Sequence, residues 1–364
     1  MAVKKIGISR DLIIHPGETI ADVLEDRGIT QAELSSRTGV SAAYVSNVIA
    51  GKKGISANFA MGLEYALGVP KSFWLNLQAN YESELLEINE EQTITEEERS
   101  VREELKDVVK YLRQRGMMPI RENKDDSILS LRKILQISNI ANLKEMIPVG
   151  AFRMATNTTI SQNVLGAWIR LCQLAGSDKD ILTKFDKKYT DDLISEIKGI
   201  MCQKDANIQG DLRNVMGKYG IDFSVARNFR GAPVQGYISQ KNDGIYQMVL
   251  TIRGAFADIF WFSLFHEIGH IVNGDIGRNF KFIDDGSDGD KESAANLFAS
   301  NMLLSPESYK MFIQRGDFSI EAIYKYAESQ NVMPYIVIGR LQKEKYLDYR
   351  TYCNYKLRYK WETN

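Results

Sequence analysis

The feature that most constrains the fold of this chain is a pair of histidines four residues apart inside an apolar segment. The segment WFSLFHEIGHIVN, residues 261–273, contains His266, Glu267 and His270. On a helix, residues four apart lie on one face, so both imidazole rings can bind one metal ion. Glu267 lies one position further round and can reach a water molecule on that ion. The spacing therefore predicts a buried helix that carries two metal ligands and a general base.

The same motif can arise by chance on an amphipathic core helix whose histidines happen to fall four residues apart. The histidine count weighs against that interpretation, because the chain has only three histidines and two of them are in this segment. Zinc is the expected cofactor, since it binds neutral imidazole nitrogens and keeps an open position for water in catalytic sites.

A carboxylate further along the chain is the predicted third ligand. The segment ESAANLFASNMLL, residues 292–304, has the pattern of a second helix beginning at Glu292. One group of zinc hydrolases completes a His, His, Glu triad in this way. In the other known arrangement, the third ligand is a histidine six residues after the second, and a glycine lies three residues after the second. Those positions are Ile276 and Asn273 here, which excludes that arrangement. Asn296 lies one turn beyond Glu292 on the same face, where it can orient a histidine ligand.

The two segments together resemble the ImmA/IrrE metallopeptidases. That family pairs H-E-x-x-H with E-x-x-A-[ND]-x-F-A, and the resemblance covers roughly residues 206–307. It includes predicted short strands at residues 221–225, 235–239 and 245–252. It implies an endopeptidase of zincin-like α+β fold, with zinc held by His266, His270 and Glu292 and with Glu267 as base. It also implies a repressor-type protein as substrate. The oxyanion-stabilising group stays open between a tyrosine, an arginine such as Arg253, and a backbone amide.

The first 81 residues have the pattern of a helix-turn-helix domain. Thr30, with Glu33 three residues later, forms a predicted capping box for one short helix. Gly39 ends that helix and Ser41 caps the next, and two short helices joined through a glycine are typical of the motif. His15 is predicted to be a capping or surface histidine. A small helical bundle that binds protein is the alternative, but the small, polar outer face of the second helix favours entry into a major groove.

Residues 15–82, from HPGETIADVLEDRGITQAELSSRT to FWLNLQANYE, resemble the HigA type of Xre-family antitoxins. The resemblance implies an autoregulator, usually dimeric, that binds a double-stranded DNA operator and has a toxin as partner. Basic residues barely exceed acidic ones up to Tyr81, so we expect a homodimer on two half-sites. The predicted DNA contacts are Gln31, Ser41, Ala42, Ala43, Tyr44, Ser46, Asn47, Lys52 and Lys53.

Composition limits the remaining possibilities. The net charge of -1 provides no global attraction to nucleic acid or membrane, so DNA binding must come from a local surface. The three cysteines, Cys172, Cys202 and Cys353, are widely spaced and odd in number, which favours a reducing compartment. Because we find no signal peptide and no apolar run that could cross a bilayer, we expect a cytoplasmic protein with no membrane partner.

The middle and the end of the chain carry no catalytic pattern. Residues 82–107 are dense in glutamate and predict a charged, solvated helical linker. Residues 108–205 resemble the helical spacer of proteins that fuse a HigA-like head to an ImmA/IrrE-like body. Helices are predicted there at residues 127–137, 139–147, 163–176 and 190–201. We expect this spacer to serve as scaffold, dimerisation surface or partner sensor. The tail, residues 349–361, is predicted to be a docking tail or edge strand rather than a stacking platform for nucleic acid.

These patterns predict a mainly α protein with a small β-sheet. The predicted parts are a helix-turn-helix domain (1–81), an acidic linker (82–107), a helical spacer (108–205), a metallopeptidase domain (206–310) and C-terminal helices with a basic, aromatic tail (311–364). The predicted function is a DNA-binding regulator of the antitoxin type with a zinc endopeptidase domain. The alternative is a non-proteolytic antitoxin and autorepressor whose zincin-like body binds a toxin or senses a ligand.

Overall fold

The computed structural model divides the chain into two compact units. One comprises Met1–Arg99 and Arg121–Leu129, and the other Ser100–Ile120 and Ser130–Asn364. The structure describes residues 13–147, 160–175, 181–204, 207–232, 234, 236–242, 244–252, 256–277, 281–284 and 289–360. No helix among these residues combines the length and apolarity needed to cross a membrane.

Five helices between residues 16 and 89 make up most of the first unit, and the two short ones start at the predicted caps. Thr30 accepts a hydrogen bond from the backbone N–H of Glu33, and Ser41 accepts one from Tyr44. Between the two capped helices, Gly39 adopts a left-handed conformation with φ 73°, which glycine tolerates best. The helices are α1 (Pro16–Asp26), α2 (Gln31–Thr38), α3 (Ala42–Ile49), α4 (Ala57–Leu67) and α5 (Lys71–Asn89).

A single hydrophobic core holds these helices together. Leu34, Val45, Phe59, Leu63 and Trp74 are all fully buried in it. Complete burial of side chains of this size contributes about 1.5–3 kcal/mol each, so the core is the main source of stability for the unit. The core residues come from all five helices, including Ile20 of α1, which explains why the two short helices are fixed relative to one another.

The acidic stretch, predicted as a charged, solvated helical linker, is divided between several helices. Helix α5 continues through it to Asn89, and a 3-10 turn, Glu90–Thr93, precedes α6 (Glu96–Glu104) and α7 (Lys106–Gln114). Glu98 is fully buried, because its carboxylate accepts the N–H of Thr95 while Thr95 accepts the N–H of Glu98. The other glutamates of the stretch are exposed or half-buried, and Glu98 differs from them because it serves as half of a capping box.

The second unit is helical around a small sheet. Residues 139–147, predicted as a helix, form a 3-10 segment at Ile140–Met146. The helices that continue the chain are α8 (Lys124–Leu135, which spans the boundary between the units), α9 (Gln162–Leu174), α10 (Thr190–Cys202), α11 (Ile208–Lys218), α12 (Ala257–Asn273), α13 (Asp290–Leu303), α14 (Pro306–Arg315), α15 (Ile320–Ser329) and α16 (Pro334–Lys343).

The sheet has the strand order β1-β3-β2-β4 within the described residues. Strand β1 pairs with β3 in parallel, whereas β2 is antiparallel to both β3 and β4. Gly244, with φ 77°, lies in the turn between β2 and β3. The strands are β1 (Ile221–Ala226), β2 (Gly236–Asn242), β3 (Ile245–Thr251) and β4 (Lys281–Asp284).

Helix α12 lies at the centre of the second unit's core. Its residues Trp261, Leu264 and Phe265 are fully buried in one cluster with Phe223 of β1 and Met248 of β3. A helix with apolar side chains on most of its surface must be covered on most sides, which its sequence anticipated.

The C-terminal tail docks on the start of α12. The backbone N–H of Ala257 donates to the carbonyl of Leu357 at 2.9 Å. The indole N–H of Trp261 donates to the hydroxyl of Tyr359 at 2.8 Å, and the Tyr359 ring packs edge-on against Phe260. These contacts agree with the predicted docking tail, and they commit Tyr359 to the protein's own interior. Trp361 lies outside the described residues.

Candidate metal centre and helix-turn-helix surface

Helix α12 places three polar side chains in an apolar interior. His270 and Glu267 are fully buried and His266 is 4% exposed. The helix ends at Gly274, which has φ 75° and reverses the chain so that the N–H of Asp275 returns to the carbonyl of His270. The two histidines and the glutamate therefore lie in the protein interior. Electrostatic interactions are stronger there than in bulk water.

A close approach of α13 brings the fourth residue to the site. A Cβ atom added at Gly269 would lie 3.2 Å from the Cα atom of Ala295 and 3.1 Å from the ring of Phe298. Glycine at this position allows the two helix backbones to pack closely. As a result, Glu292 in the first turn of α13 faces the histidines of α12.

His266, His270 and Glu292 converge on one point. The Nε2 atoms of the two histidines are 3.1 Å apart. One carboxylate oxygen of Glu292 lies 3.1 Å from Nε2 of His266, and the other lies 3.5 Å from Nε2 of His270. Among the described residues, these three form the one group of His, Cys, Asp or Glu side chains close enough to share a metal ion.

The other ring nitrogens are held by acceptor oxygens. Nδ1 of His266 donates to Oδ1 of Asn296 at 3.1 Å, as expected from the sequence. Nδ1 of His270 donates to a carboxylate oxygen of Asp275 at 2.9 Å. With each Nδ1 carrying a proton, the Nε2 atoms present lone pairs to the shared point, which is how second-shell oxygens fix the tautomer of metal-binding histidines.

Asp275 is a functional residue that sequence reasoning missed. It follows the left-handed Gly274, and the turn there directs its side chain back to His270. The available signal was an aspartate directly after a glycine that ends the H-E-x-x-H helix. Without the turn geometry, that aspartate looks like one more acid in an Asp/Gly-rich loop.

The electrostatics of the cluster favour a cation. Burial would raise the pKa of the Glu292 carboxyl, but hydrogen bonds with His266 and His270 outweigh it and lower that pKa to about 2. Burial would lower the pKa of His270, but hydrogen bonds with Glu292 and Asp275 outweigh it and raise that pKa. An ionised carboxylate beside two imidazoles therefore attracts either a proton or a metal ion.

The donor set fits zinc. Zinc bonds of about 2.0–2.1 Å to nitrogen and oxygen in a tetrahedron separate the ligand atoms by roughly 3.3 Å. The measured separations of 3.1, 3.1 and 3.5 Å surround that value. Two imidazoles and one carboxylate also leave the fourth tetrahedral position for water or substrate, as in catalytic rather than structural zinc sites.

Glu267, the predicted base, is packed against the sheet. A Cβ atom added at Gly236 of β2 would lie 2.0 Å from its Oε1 atom, so only glycine leaves room for this carboxylate. Glu267 follows His266 on the buried helix, and Gly236 gives its carboxylate a defined place against β2. Arg253, considered for oxyanion stabilisation, lies outside the described residues.

A cavity of about 710 Å³ opens beside the ligands. His266 and Glu292 line it, whereas His270 and Glu267 are not among its lining residues. Its walls come from the first half of α12, from α13 and α16, and from the C-terminal tail. This volume is in the range of pockets that take small molecules or several side chains of a peptide.

The predicted DNA contacts lie on α2, on α3 and directly after α3. Gln31 is exposed as the first residue of α2, where backbone N–H groups point outward and can bind phosphate. Asn47 is half-buried, and its carbonyl accepts the N–H groups of Lys52 and Lys53 in the turn after α3. The exposed members of the set are Gln31, Ser41, Ala42, Ala43, Ser46, Lys52 and Lys53.

Tyr44 has a structural task besides any contact with DNA. The Tyr44 side chain is half-buried. Its hydroxyl donates to the carbonyl of Gly54 at 3.0 Å and accepts the N–H of Ser56 at 3.1 Å. Its ring packs edge-on against Phe59, and Lys53 lies over it at 5.7 Å. Tyr44 thus braces the turn that carries the two lysines, which a helical pattern alone does not reveal.

His15 is a capping residue but not a surface one. Its Nδ1 accepts the N–H of Gly17 at 2.9 Å, and the side chain is only 8% exposed. The ring packs edge-on against Tyr81 of α5. Burial lowers its pKa, and Glu18 opposes that effect only in part.

Comparison with known proteins assigns the N-terminal part of the chain. Residues 20–74 match a family model described as Helix-turn-helix. Virulence-associated protein A' of Dichelobacter nodosus is 41% identical over 69 residues, which are 19% of this chain and 60% of that protein. The chain thus spans about 60% of the length of that curated relative. Together with the capped α2 and α3, the family match shows a helix-turn-helix domain, and it supports DNA binding by that domain.

Solved structures similar to part of the chain are antitoxins. An addiction module antidote protein of a HigA family from Coxiella burnetii shares 28% identity, over 23% of this chain and 96% of that one, with a TM-score of 0.21. The Pseudomonas aeruginosa antitoxin HigA with higBA promoter shares 34% identity, over 22% of this chain and 89% of that one, with a TM-score of 0.21. The metallopeptidase resemblance of residues 206–307 lies outside the residues that the family model matches and stays a prediction.

Proposed function

We propose that this chain is a DNA-binding transcriptional regulator of the antitoxin type whose second unit is a zinc-dependent endopeptidase that cleaves a repressor-like protein. The observation that carries the enzymatic part is the convergence of His266, His270 and Glu292 beside the buried Glu267. A purely structural zinc site would leave Glu267 without a role, and three ligands leave the fourth position open.

The residues of the site have distinct tasks in peptide hydrolysis. Zinc, when bound by His266, His270 and Glu292, would polarise the scissile carbonyl and lower the pKa of water. Glu267 accepts the proton of the attacking water and then delivers it to the leaving amine. Asn296 and Asp275 keep both imidazoles in the tautomer that presents Nε2.

The first unit supplies the regulatory half of the proposal. Helix α3 enters the major groove of an operator, while Gln31, Lys52 and Lys53 bind phosphates on either side. The low net charge of the domain favours a homodimer that binds two half-sites, since one copy makes few phosphate contacts. A repressor-like protein or a cognate toxin is the proposed protein partner.

Metal content tests the triad. Purified wild-type protein supplied with zinc should hold about one zinc per chain, and Glu292→Ala should lose most of it, because a third of the ligand set is removed. Glu328→Ala, which removes an exposed carboxylate on α15, is the matched control and should retain the metal. Folded wild-type protein that binds no zinc would refute the enzymatic proposal.

The variant Glu267→Gln separates the proposal from its rival. The rival is an antitoxin and autorepressor whose zincin-like body binds a toxin or senses a ligand without proteolysis. It is favoured by the family match, which concerns the helix-turn-helix residues alone. Under our proposal, Glu267→Gln keeps zinc but abolishes cleavage of the repressor-like substrate and the regulation that depends on cleavage. Regulation identical to wild type in this variant would favour the rival.

DNA binding is tested on duplex fragments from upstream of the chain's own coding sequence. Replacing Lys52 and Lys53 by alanine should weaken binding to all sequences and reduce the slope of log affinity against log salt by about one per lysine. Lys71→Ala is the control, because that lysine starts α5 and is paired with Glu64. Equal salt slopes for wild type and the double variant would exclude these lysines from the interface.

A further inference from the structure

The cavity beside the convergence point of His266, His270 and Glu292 is lined by charges that are unevenly paired. Three carboxylates and three cations line it: Asp258, Glu292, Glu344, Arg340, Lys343 and Lys356. Every one of these carboxylates is engaged. Glu292 faces the histidines, Asp258 pairs with Lys356 at 2.6 Å, and the two oxygens of Glu344 bind Arg340 and the hydroxyl of Tyr309.

Lys343 is the lining cation left without a carboxylate. Among the described residues, no Asp or Glu oxygen lies within 4.0 Å of its Nζ atom, whereas Arg340 and Lys356 each have an acidic partner. Its ammonium group instead lies 4.4 Å from the centre of the Phe262 ring. This cation–π contact positions the charge in the cavity without neutralising it.

Phe262 connects that charge to the metal ligands. Its ring centre is 6.4 Å from that of His266, on the same helix one turn away. These two distances limit the separation of the ammonium group from the His266 ring to roughly the length of three extended residues. A peptide held at the convergence point therefore presents a side chain close to the scissile bond to Lys343.

We propose that this cavity is a side-chain subsite that selects an acidic residue, Asp or Glu, within two residues of the cleaved bond, with Lys343 as the residue that determines specificity. The proposal rests on the proposed peptidase function and adds its substrate class. An acidic side chain completes the third ion pair of the lining, whereas a lysine at that position meets an unpaired like charge. The rejection of the wrong charge contributes to selectivity as much as the attraction of the right one.

The test uses peptide hydroxamates, because a hydroxamate chelates zinc and fixes the register of the peptide without any turnover. One series of peptides carries Glu, Gln or Lys at the first residue from the hydroxamate, and a second series carries them at the second residue. The dissociation constant of each peptide is measured on the full-length zinc-loaded protein. In one series we expect Glu to bind roughly three- to fivefold tighter than Gln and Lys to bind weakest, with the difference reduced at high salt.

Variants assign the preference to Lys343. Lys343→Ala should bind the Glu and Gln peptides equally, and Lys343→Glu should prefer the Lys peptide. Lys310→Ala, an exposed lysine on α14 outside the cavity, should behave as wild type. Equal binding of Glu and Gln peptides by wild type, or a preference for Glu that survives Lys343→Ala, overturns the subsite while leaving the peptidase proposal intact. Failure of every hydroxamate to bind in a zinc-dependent way overturns the peptidase proposal and the subsite with it.

Discussion

At the scale of single residues, the sequence pointed to the side chains that converge on the candidate site and to Asn296 beside them, but it did not reveal two other residues that hold the site in place. His266, Glu267 and His270 could be found because helical spacing alone places them together. Asp275 and Gly236 could not, because their roles depend on a turn after α12 and on the packing of β2 against Glu267. Local periodicity carries no information about either contact.

His15 gives the helix-turn-helix unit a defined response to pH. Its Nδ1 must be unprotonated to accept the N–H of Gly17, and burial lowers its folded-state pKa below the ordinary value of 6.5. As pH falls, His15 is therefore protonated at a higher pH in the unfolded chain than in the folded one. The stability of the unit should be complete above about pH 6.5 and should decrease between that pH and the lower folded-state pKa.

Hydrogen-exchange protection of the α1 amides at several pH values measures this effect. His15→Asn is the control, since asparagine can cap a helix but does not titrate in this range. Protection in wild type should fall between pH 7 and pH 5, while protection in the variant should change less. Equal pH dependence in both proteins would show that the proton is taken up elsewhere.

At the scale of elements, the sequence predicted most helices and strands of the second unit. Strands predicted at residues 221–225, 235–239 and 245–252 occur at Ile221–Ala226, Gly236–Asn242 and Ile245–Thr251. The 3-10 segment at Ile140–Met146 was predicted as an ordinary helix, because hydrophobic spacing does not separate the two over so short a stretch. Alternation and helical spacing thus identify elements, and the distance at which α12 and α13 pack had to come from the structure.

Gly269 should control the metal centre through that packing. In Gly269→Val the branched side chain meets the backbone of Ala295 and the ring of Phe298, so α13 must move away and carry Glu292 with it. We expect zinc affinity to fall about tenfold or more although every ligand is still present. Competition with a chelator of known affinity measures the change.

Gly199→Val is the matched control for that experiment. Gly199 also lies within a helix, α10, but nothing stands within 4 Å of a Cβ atom added there. Its zinc affinity should equal that of wild type. Unchanged affinity in Gly269→Val as well would mean that the close approach of the two helices does not position Glu292.

At the scale of the whole molecule, two cores with no residue in common support the two proposed activities. One is built around Leu34 and Trp74, and the other around α12. A ligand stabilises only the part of a protein whose folded form binds it. Zinc in hundredfold excess over its dissociation constant should therefore stabilise the second unit by about 2.7 kcal/mol and leave the first unchanged.

Hydrogen exchange resolved by segment can follow both units in one full-length sample. Added zinc should slow exchange in α12 and α13 and should not alter exchange in α2 and α3. Glu292→Ala should remove the zinc effect without changing the first unit. A zinc effect of equal size in α2 and α3 would show that the two cores unfold together.

The docking of the C-terminal tail on α12 also fixes an order of events during translation. Tyr359, whose hydroxyl receives the indole N–H of Trp261, leaves the ribosome 98 residues after its partner. Translation proceeds at about 5–20 residues per second, so the tail segment that contacts α12 is synthesised roughly 5–20 s after α12 itself. The core of the helix-turn-helix unit is complete by Trp74. A nascent chain thus completes the domain proposed to find an operator well before it completes the unit proposed to cut a peptide.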